Sequence, residues 1–307
     1  MNKLFTLLAL TITFGIDAQI TVSGTSNSGT YSSAIGYQTT ASGDYSTAMG
    51  FSTTASQSYC TAMGYATTAS GSTSTASGVN TTASGDGSTA MGNSTTASGN
   101  ASTTIGLSTT ASGNTSTAMG FATTASGSRS TAMGVNTTAS DYGSLVIGQY
   151  NSSGSSATTA TSFSASNTAF VIGNGINGSN KSDAFKVMFN GDATVSNDLT
   201  VSGDVVISSD ARLKSNIVSL GSTLAKLLQI DGKSYERKAK QKIGVLAQEI
   251  KEVFPELVSE DDNEMLAVNY QGLVPVLINA LKEQDKIIKS QEERLTNIEN
   301  LIANLND

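Results

Sequence analysis

Along residues 30–150 the apolar positions are few, small and regular. They fall in short clusters, an alanine, then a methionine or isoleucine, then a glycine, separated by runs of serine and threonine. The glycines keep a period of fourteen, at Gly36, Gly50, Gly64, Gly78, Gly92, Gly106, Gly120, Gly134 and Gly148. One phrase returns around them, as STAMGFSTTAS from Ser46, STAMGNSTTAS from Ser88 and STAMGFATTAS from Ser116. A short fixed period with nine copies predicts a solenoid, in which each repeat stacks only on its neighbours. Stacked equivalent turns build a rod, not an active-site cleft.

Each repeat offers two segments of strand type, such as Ser46-Thr47-Ala48-Met49 and Thr53-Thr54-Ala55-Ser56. A glycine follows each: Gly50 after the first, and usually a second such as Gly43, Gly71, Gly85, Gly99, Gly113 or Gly127. Threonine favours strands and glycine supplies the positive φ of tight corners, so two strands per fourteen residues make one coil of a parallel β-roll. Alternation puts Thr47 and Met49 on one face and Ser46 and Ala48 on the other. One apolar residue per strand is a thin core for a lone roll. Side-by-side packing of several rolls, which buries the alanine faces as well, predicts a homo-oligomer.

Two positions vary between repeats. One runs Tyr37, Phe51, Tyr65, Val79, Asn93, Leu107, Phe121, Val135, and the other Tyr31, Tyr45, Tyr59, Thr73, Gly87, Ala101, Thr115, Arg129. An exposed aromatic ladder can bind a ligand, a host-surface, matrix or glycan partner, but packing of coil on coil is the simpler expectation. The single cysteine, Cys60, occupies a slot that serine fills elsewhere, which predicts a small packed residue and not a reactive thiol.

Charge divides the chain. Of 17 Lys/Arg and 24 Asp/Glu, 13 and 16 fall after Ser208. The net charge of -7 argues against nucleic acid or an anionic membrane as main partner. Histidine is absent, which removes His-based triads and His-ligated metals; no cofactor or metal site is expected. Between 19 and 208 there is no glutamate, and Asp44 and Asp86 share a repeat position but lie three coils apart. At roughly 4.8 Å per coil that is about 14 Å, too far for paired glycosidase carboxyls. At the N-terminus, Lys3, the apolar run Leu4 to Phe14, and Ile16-Asp17-Ala18 before Gln19 form an export-signal pattern, too short to span a bilayer.

The period stops at Asn151. Ser152 to Ser162 is a low-complexity stretch expected to be flexible. Ala169-Phe170-Val171-Ile172-Gly173 and Ala184 to Phe189 look like strands, with Asn190-Gly191 as a hairpin signal, and further alternation runs from Thr194 to Ile207. These predict a β-rich neck. At the far end a heptad pattern places Val274, Leu281, Ile288, Leu295 and Ile302 at a, and Leu277, Gln284, Gln291, Ile298 and Leu305 at d, a coiled coil of about four heptads.

Ser32-Ser33-Ala34-Ile35-Gly36 and Ser144-Leu145-Val146-Ile147-Gly148 bring residues 30–150 close to the head repeats of trimeric autotransporter adhesins. That resemblance implies a trimeric left-handed β-roll on a cell surface; the family's terminal membrane barrel has no counterpart in this sequence. A second resemblance begins at Ser209-Asp210-Ala211-Arg212-Leu213-Lys214-Ser215-Asn216-Ile217. It continues through Ile243 to Ile250, Val253 to Val258, and Val268-Asn269-Tyr270-Gln271-Gly272-Leu273-Val274-Pro275. In order and spacing these motifs resemble the endosialidase-type intramolecular chaperone domain of phage tail fibres. The resemblance implies that the domain drives trimerisation and then cuts itself off. Carried over, the nucleophile is Ser209, the base Lys214 and the scissile bond Ser208–Ser209, with Arg212, Asn216 and Glu249 as motif residues of unassigned role.

The chemistry stands without the family. A serine hydroxyl needs a neighbouring base, and without histidine a lysine that has lost its proton through burial is the available one. Five residues apart, Ser209 and Lys214 sit about 140° apart on a helix and on opposite faces of a strand. A turn or a neighbouring subunit must bring them together. The competing structural role for Ser209 is as a helix N-cap before an exposed basic turn.

The expected fold is mainly β: a trimeric parallel β-roll of fourteen-residue repeats, then a small α/β chaperone domain ending in a coiled-coil helix. The expected divisions are a signal peptide at 1–18, the roll at 19–150, a neck at 151–208, the chaperone domain at 209–275 and the coiled coil at 276–307. The function expected is that of an exported homotrimeric fibre, secreted or at the cell surface, which releases its chaperone by a single autoproteolytic event. The alternative is an uncleaved adhesin or tail-fibre-like binder in which 209–307 is only a trimerisation foot.

Overall fold

The computed structural model describes residues 24–261 and 264–305; the apolar leader expected at 1–18 lies outside them. The described chain divides into two compact units, one ending at Asp204 and one beginning at Val205.

The first unit is a parallel β-roll. Each coil has a five-residue strand, such as Thr47–Phe51, and a two-residue strand, such as Thr54–Ala55. Among the described residues the short strands stack into a nine-stranded sheet and the long ones into a twelve-stranded sheet. Register is strict at fourteen: Ala48 pairs with Ala62, Met49 with Met63, and Gly50 with Gly64. This is the coil that the period predicts.

The glycine column has a different reason from the one expected. Gly50 lies inside the long strand, not at a corner. It adopts φ +127, and a Cβ there would sit 2.0 Å from the carbonyl oxygen of Gly64 on the next coil. Every member of the column meets its successor in the same way. The corners fall to other residues, including Tyr45 at φ 57 and Ser52 at φ 52, which take the left-handed conformation without being glycine. The second glycine, as at Gly85, has no positive φ; a Cβ there would lie 2.1 Å from the Gly99 carbonyl oxygen.

The expected inside and outside are also exchanged. Ala48, Ala55 and their equivalents are fully buried within the single roll, while Met49 is 41% exposed. A coil only two short strands wide has room for alanine, serine and threonine but not for a column of methionines. The threonines from Thr39 to Thr137 at fourteen-residue spacing are fully buried, and their hydroxyls lack partners among the described residues. Ser74 and Ser116 occupy the other inner slot and donate to the carbonyls of Gly71 and Gly113. Cys60 fills that same slot, is fully buried, and has its thiol pushed up by burial. It is the packed residue expected from its position.

The stretch after Asn151 is not a loose linker. Asp141, buried, accepts the N–H of Thr158 at 2.6 Å and of Thr168 at 2.8 Å. Asn151 and Asn167, also buried, bond the backbone of Thr138 and Thr159, and Asp183 accepts from Ser152 and Ser153. These side chains fold 152–167 over the end of the roll. The parallel ladder then resumes, Gly148 pairing with Gly173, before Asp183–Met188 and Ala193–Val195 add antiparallel strands. Asp44 and Asp86 likewise bond the preceding coil, accepting from Thr30 and Ser72 backbone N–H groups. Both aromatic ladders stack ring on ring, with centroids 5.0–5.3 Å apart from Tyr31 to Tyr45 to Tyr59.

The second unit has a small core of Ile250, Phe254 and Val276, with Leu227, Val245, Leu257 and Val268 packed around it. Helix α1 (Leu224–Leu227), the hairpin Lys233–Arg237/Lys240–Gly244, helix α2 (Ala247–Val253) and the hairpin Val258–Glu260/Leu266–Val268 lead into helix α3 (Leu273–Leu305). The sequence motifs supply this frame: the Tyr270 hydroxyl accepts from Val245 N–H, and Asn269 caps the turn to Gly272. Helix α3 has 33 residues, a length of about 50 Å, and begins three residues before the expected boundary. Val276 and Ala280 are buried on it, whereas the apolar residues at a and d are 45–84% exposed.

The glycine column makes a direct prediction. Gly92→Ala places a Cβ about 2.0 Å from the Gly106 carbonyl oxygen at φ +125, so it should destabilise the roll by about 2 kcal/mol or more. Gly87→Ala meets nothing closer than 3.8 Å, in a slot that Ala101 already fills, and should cost only about 1 kcal/mol. Thermal melting followed by circular dichroism checks the difference; equal losses would refute the carbonyl contact.

Candidate functional site

The site begins at the N-terminal edge of the second unit. Ser208 and Ser209 are exposed, and Ala211–Leu213 forms one 3₁₀ turn. Asp210 is its N-cap: at φ -61 and ψ 135 its carboxylate accepts the N–H of Arg212 at 2.8 Å. Backbone bonds from Leu213 to Asp210 and from Lys214 to Ala211, both 3.1 Å, close the turn. Lys214 leaves it extended, with ψ 145. The chain therefore doubles back, and Lys214 Nζ donates to Ser209 Oγ at 2.7 Å.

Of the two routes that the spacing allows, a turn within one chain is what brings the pair together. The N-cap role falls to Asp210 and not to Ser209. Arg212 does not reach the pair either; its guanidinium grips Asp210, with Nε 3.1 Å from Oδ1 and Nη2 2.7 Å from Oδ2. The two groups hold each other charged, Asp210 below the usual carboxylate range and Arg212 above its own, chiefly through this hydrogen bond. Asn216 takes a left-handed backbone at φ 52, and Glu249, on α2, pairs with Lys233 at 3.2 Å. A shallow hollow bordered by Ser208, Asp210, Arg212 and Leu213 lies beside the bond between residues 208 and 209.

A hydroxyl and an amine sharing one hydrogen bond can pass a proton along it, provided the amine is neutral. Burial is the general means of making it so. Within one chain both side chains are exposed.

Two polar contacts, those of Asp210 and Glu283, were not among the residues expected from the sequence. Asp210 before Ala-Arg-Leu is a readable N-cap. Glu283 is not readable, because its partners lie about sixty residues away: from α3 its carboxylate accepts from Ser222 Oγ at 2.7 Å, Thr223 N–H at 2.5 Å and Leu224 N–H at 3.3 Å. It caps α1 and ties the segment leading from the Ser209 turn to the long helix.

Comparison with known families agrees with the two resemblances. Residues 209–259 match the model described as chaperone of endosialidase, a stretch that contains Ser209 and Lys214. Residues 28–53, 55–81, 69–95, 83–109, 111–136 and 125–151 match the YadA head domain repeat, a model holding two copies. No curated protein matches the chain. The N-terminal part is thus similar to adhesin head repeats, and residues 209–259 are similar to the chaperone domain of endosialidase.

The Thr223 N–H first, then the Ser222 hydroxyl and the Leu224 N–H, hold the Glu283 carboxyl below its ordinary value. A carboxyl lowered by folding stabilises the fold above its unfolded pKa and ceases to do so as pH falls through the folded one. Docking of α1 on α3 should therefore weaken in acid, below the ordinary glutamate range, and Glu283→Gln should remove that pH dependence. Amide protection at Leu227 and Leu228, corrected for intrinsic exchange between about pH 6 and pH 3, checks it. Identical profiles for the two proteins would discount the cap.

Proposed function

We propose that this chain is an exported trimeric fibre whose C-terminal domain aligns three copies and then releases itself at the Ser208–Ser209 bond. The observation that carries this reading is the Lys214–Ser209 hydrogen bond, formed inside the matched opening motif. Two apolar surfaces support association with further copies. One is the outward column of Met49, Met63, Met91 and Ile105, interrupted by Ser77; the other is the exposed seam of α3. A homotrimer covers both, and the head-repeat match favours three chains. No helix among the described residues is long and apolar enough to cross a membrane, and the adhesin-type repeats fit a secreted or surface location.

In the proposed cut, Ser209 Oγ gives its proton to neutral Lys214 and adds to the carbonyl carbon of Ser208. The C–N bond breaks, and the departing Ser209 amine takes the proton from Lys214. This leaves an ester between the Ser208 carbonyl and Ser209 Oγ. Water hydrolyses it, giving a carboxylate on Ser208 and restoring the Ser209 hydroxyl on the released domain. The chemistry follows the serine–lysine variant of nucleophilic catalysis, used once per chain. Partner chains packed over the turn would supply the desolvation that a neutral lysine requires. The rod, from about Gln19 to Ser208, is the product. The second reading, an uncleaved trimerisation foot, draws its support from the exposure of both side chains.

Intact-mass measurement separates the two. The wild-type protein should yield a rod ending at Ser208 and a fragment beginning at Ser209. Ser209→Ala and Lys214→Ala should remain full length and still form trimers, because the lesion is chemical. Unchanged processing of Ser209→Ala would remove Ser209 as nucleophile.

A further inference from the structure

We infer that Asp210 is the positioning residue of the proposed cut, holding Lys214 against Ser209 by capping the turn between them. The inference rests on the cleavage reading above. An extended chain would separate residues five apart by about 16 Å. Only the turn at 211–213 brings Lys214 Nζ to 2.7 Å from Ser209 Oγ.

That turn is poorly supported except by Asp210. None of Ala211, Arg212 and Leu213 is buried, so no packing within the chain fixes it. A three-residue 3₁₀ turn has strained hydrogen-bond geometry and does not persist on its own backbone bonds. Asp210 contributes twice, through its backbone carbonyl to Leu213 N–H and through its side chain to Arg212 N–H at 2.8 Å. Asp210 itself is extended, at φ -61 and ψ 135, as an N-cap residue is.

The same carboxylate holds the Arg212 guanidinium, so cap and ion pair must be told apart. The Arg212 side chain is 89% exposed, and an ion pair so exposed contributes little. The Arg212 N–H that Asp210 accepts is backbone and survives any change of the arginine side chain. The working contact is therefore the cap. Asparagine and serine cap as well as aspartate, and alanine does not.

The test is the rate of self-cleavage of the full-length chain, followed by gel and intact mass, with sedimentation to verify equal assembly. Asp210→Ala should cut about tenfold more slowly than wild type, the loss expected when a cap is removed. Asp210→Asn and Asp210→Ser should restore a rate within about threefold of wild type, and Arg212→Ala should do the same. A general folding defect would not be rescued by both capping residues. Wild-type rates in Asp210→Ala, with Ser209→Ala still uncut, would overturn the positioning role and leave the nucleophile standing. Equal slowing in Asp210→Asn and Asp210→Ala would assign the effect to charge and equally overturn the cap. Processing that persists in Ser209→Ala would instead bring down the cleavage reading itself.

Discussion

The first unit depends on one contact: the carbonyl oxygen of each column glycine lies where a Cβ of the previous glycine would be, at 1.9–2.2 Å from Gly36 to Gly148. That approach fixes the coil spacing and the register together, since a shift of one residue would bring a side chain against a carbonyl. It also limits what the interior can hold. Coils this close and this narrow accept alanine, serine and threonine, and the larger apolar residues are sent to the outer face.

The outer face is then the problem to be solved. Met49, Met63, Met91 and Ile105, interrupted by Ser77, are exposed along one side of the roll, and exposed apolar patches of this kind mark association surfaces. On the proposed reading three rolls share them. A roll with nine near-identical coils that slips by fourteen residues against its neighbour still pairs well, so the repeat cannot choose its own register. The seam of α3 is not repetitive in that sense: two consecutive glutamines, Gln284 and Gln291, interrupt its d positions, and buried polar residues specify register in coiled coils. A template that aligns the chains and then departs leaves the rod held by its unfolding barrier.

The coil, its two strands and the fourteen-residue pairing could be read from the spacing of glycine and the threonine-rich segments between; the opening motif named Ser209 and Lys214, which the turn brings within hydrogen-bond distance. Which face of the strand lies inward could not, because alanine and methionine are both apolar and only the width of the coil decides between them. The corners were misassigned for a related reason: glycine was needed for a neighbouring carbonyl, and Tyr45 and Ser52 bear the positive φ. The stretch 152–162 has the composition of a linker, yet buried Asp141 and Asn167 order it through partners that composition does not reveal. Glu283 was hidden in the same way. Local signals found the elements, and contacts distant in sequence remained out of reach.

On the proposed reading, the turn sets the geometry within one chain and partner chains supply the covering that a neutral lysine needs. Cleavage should therefore wait for assembly. The direct measurement is sedimentation beside a cleavage gel for a chain carrying Leu281→Asp and Ile288→Asp, which place charge in the exposed seam of α3 and leave Ser209, Asp210 and Lys214 untouched. The account predicts a monomer that stays full length. A proven monomer that cuts itself at the wild-type rate would contradict it.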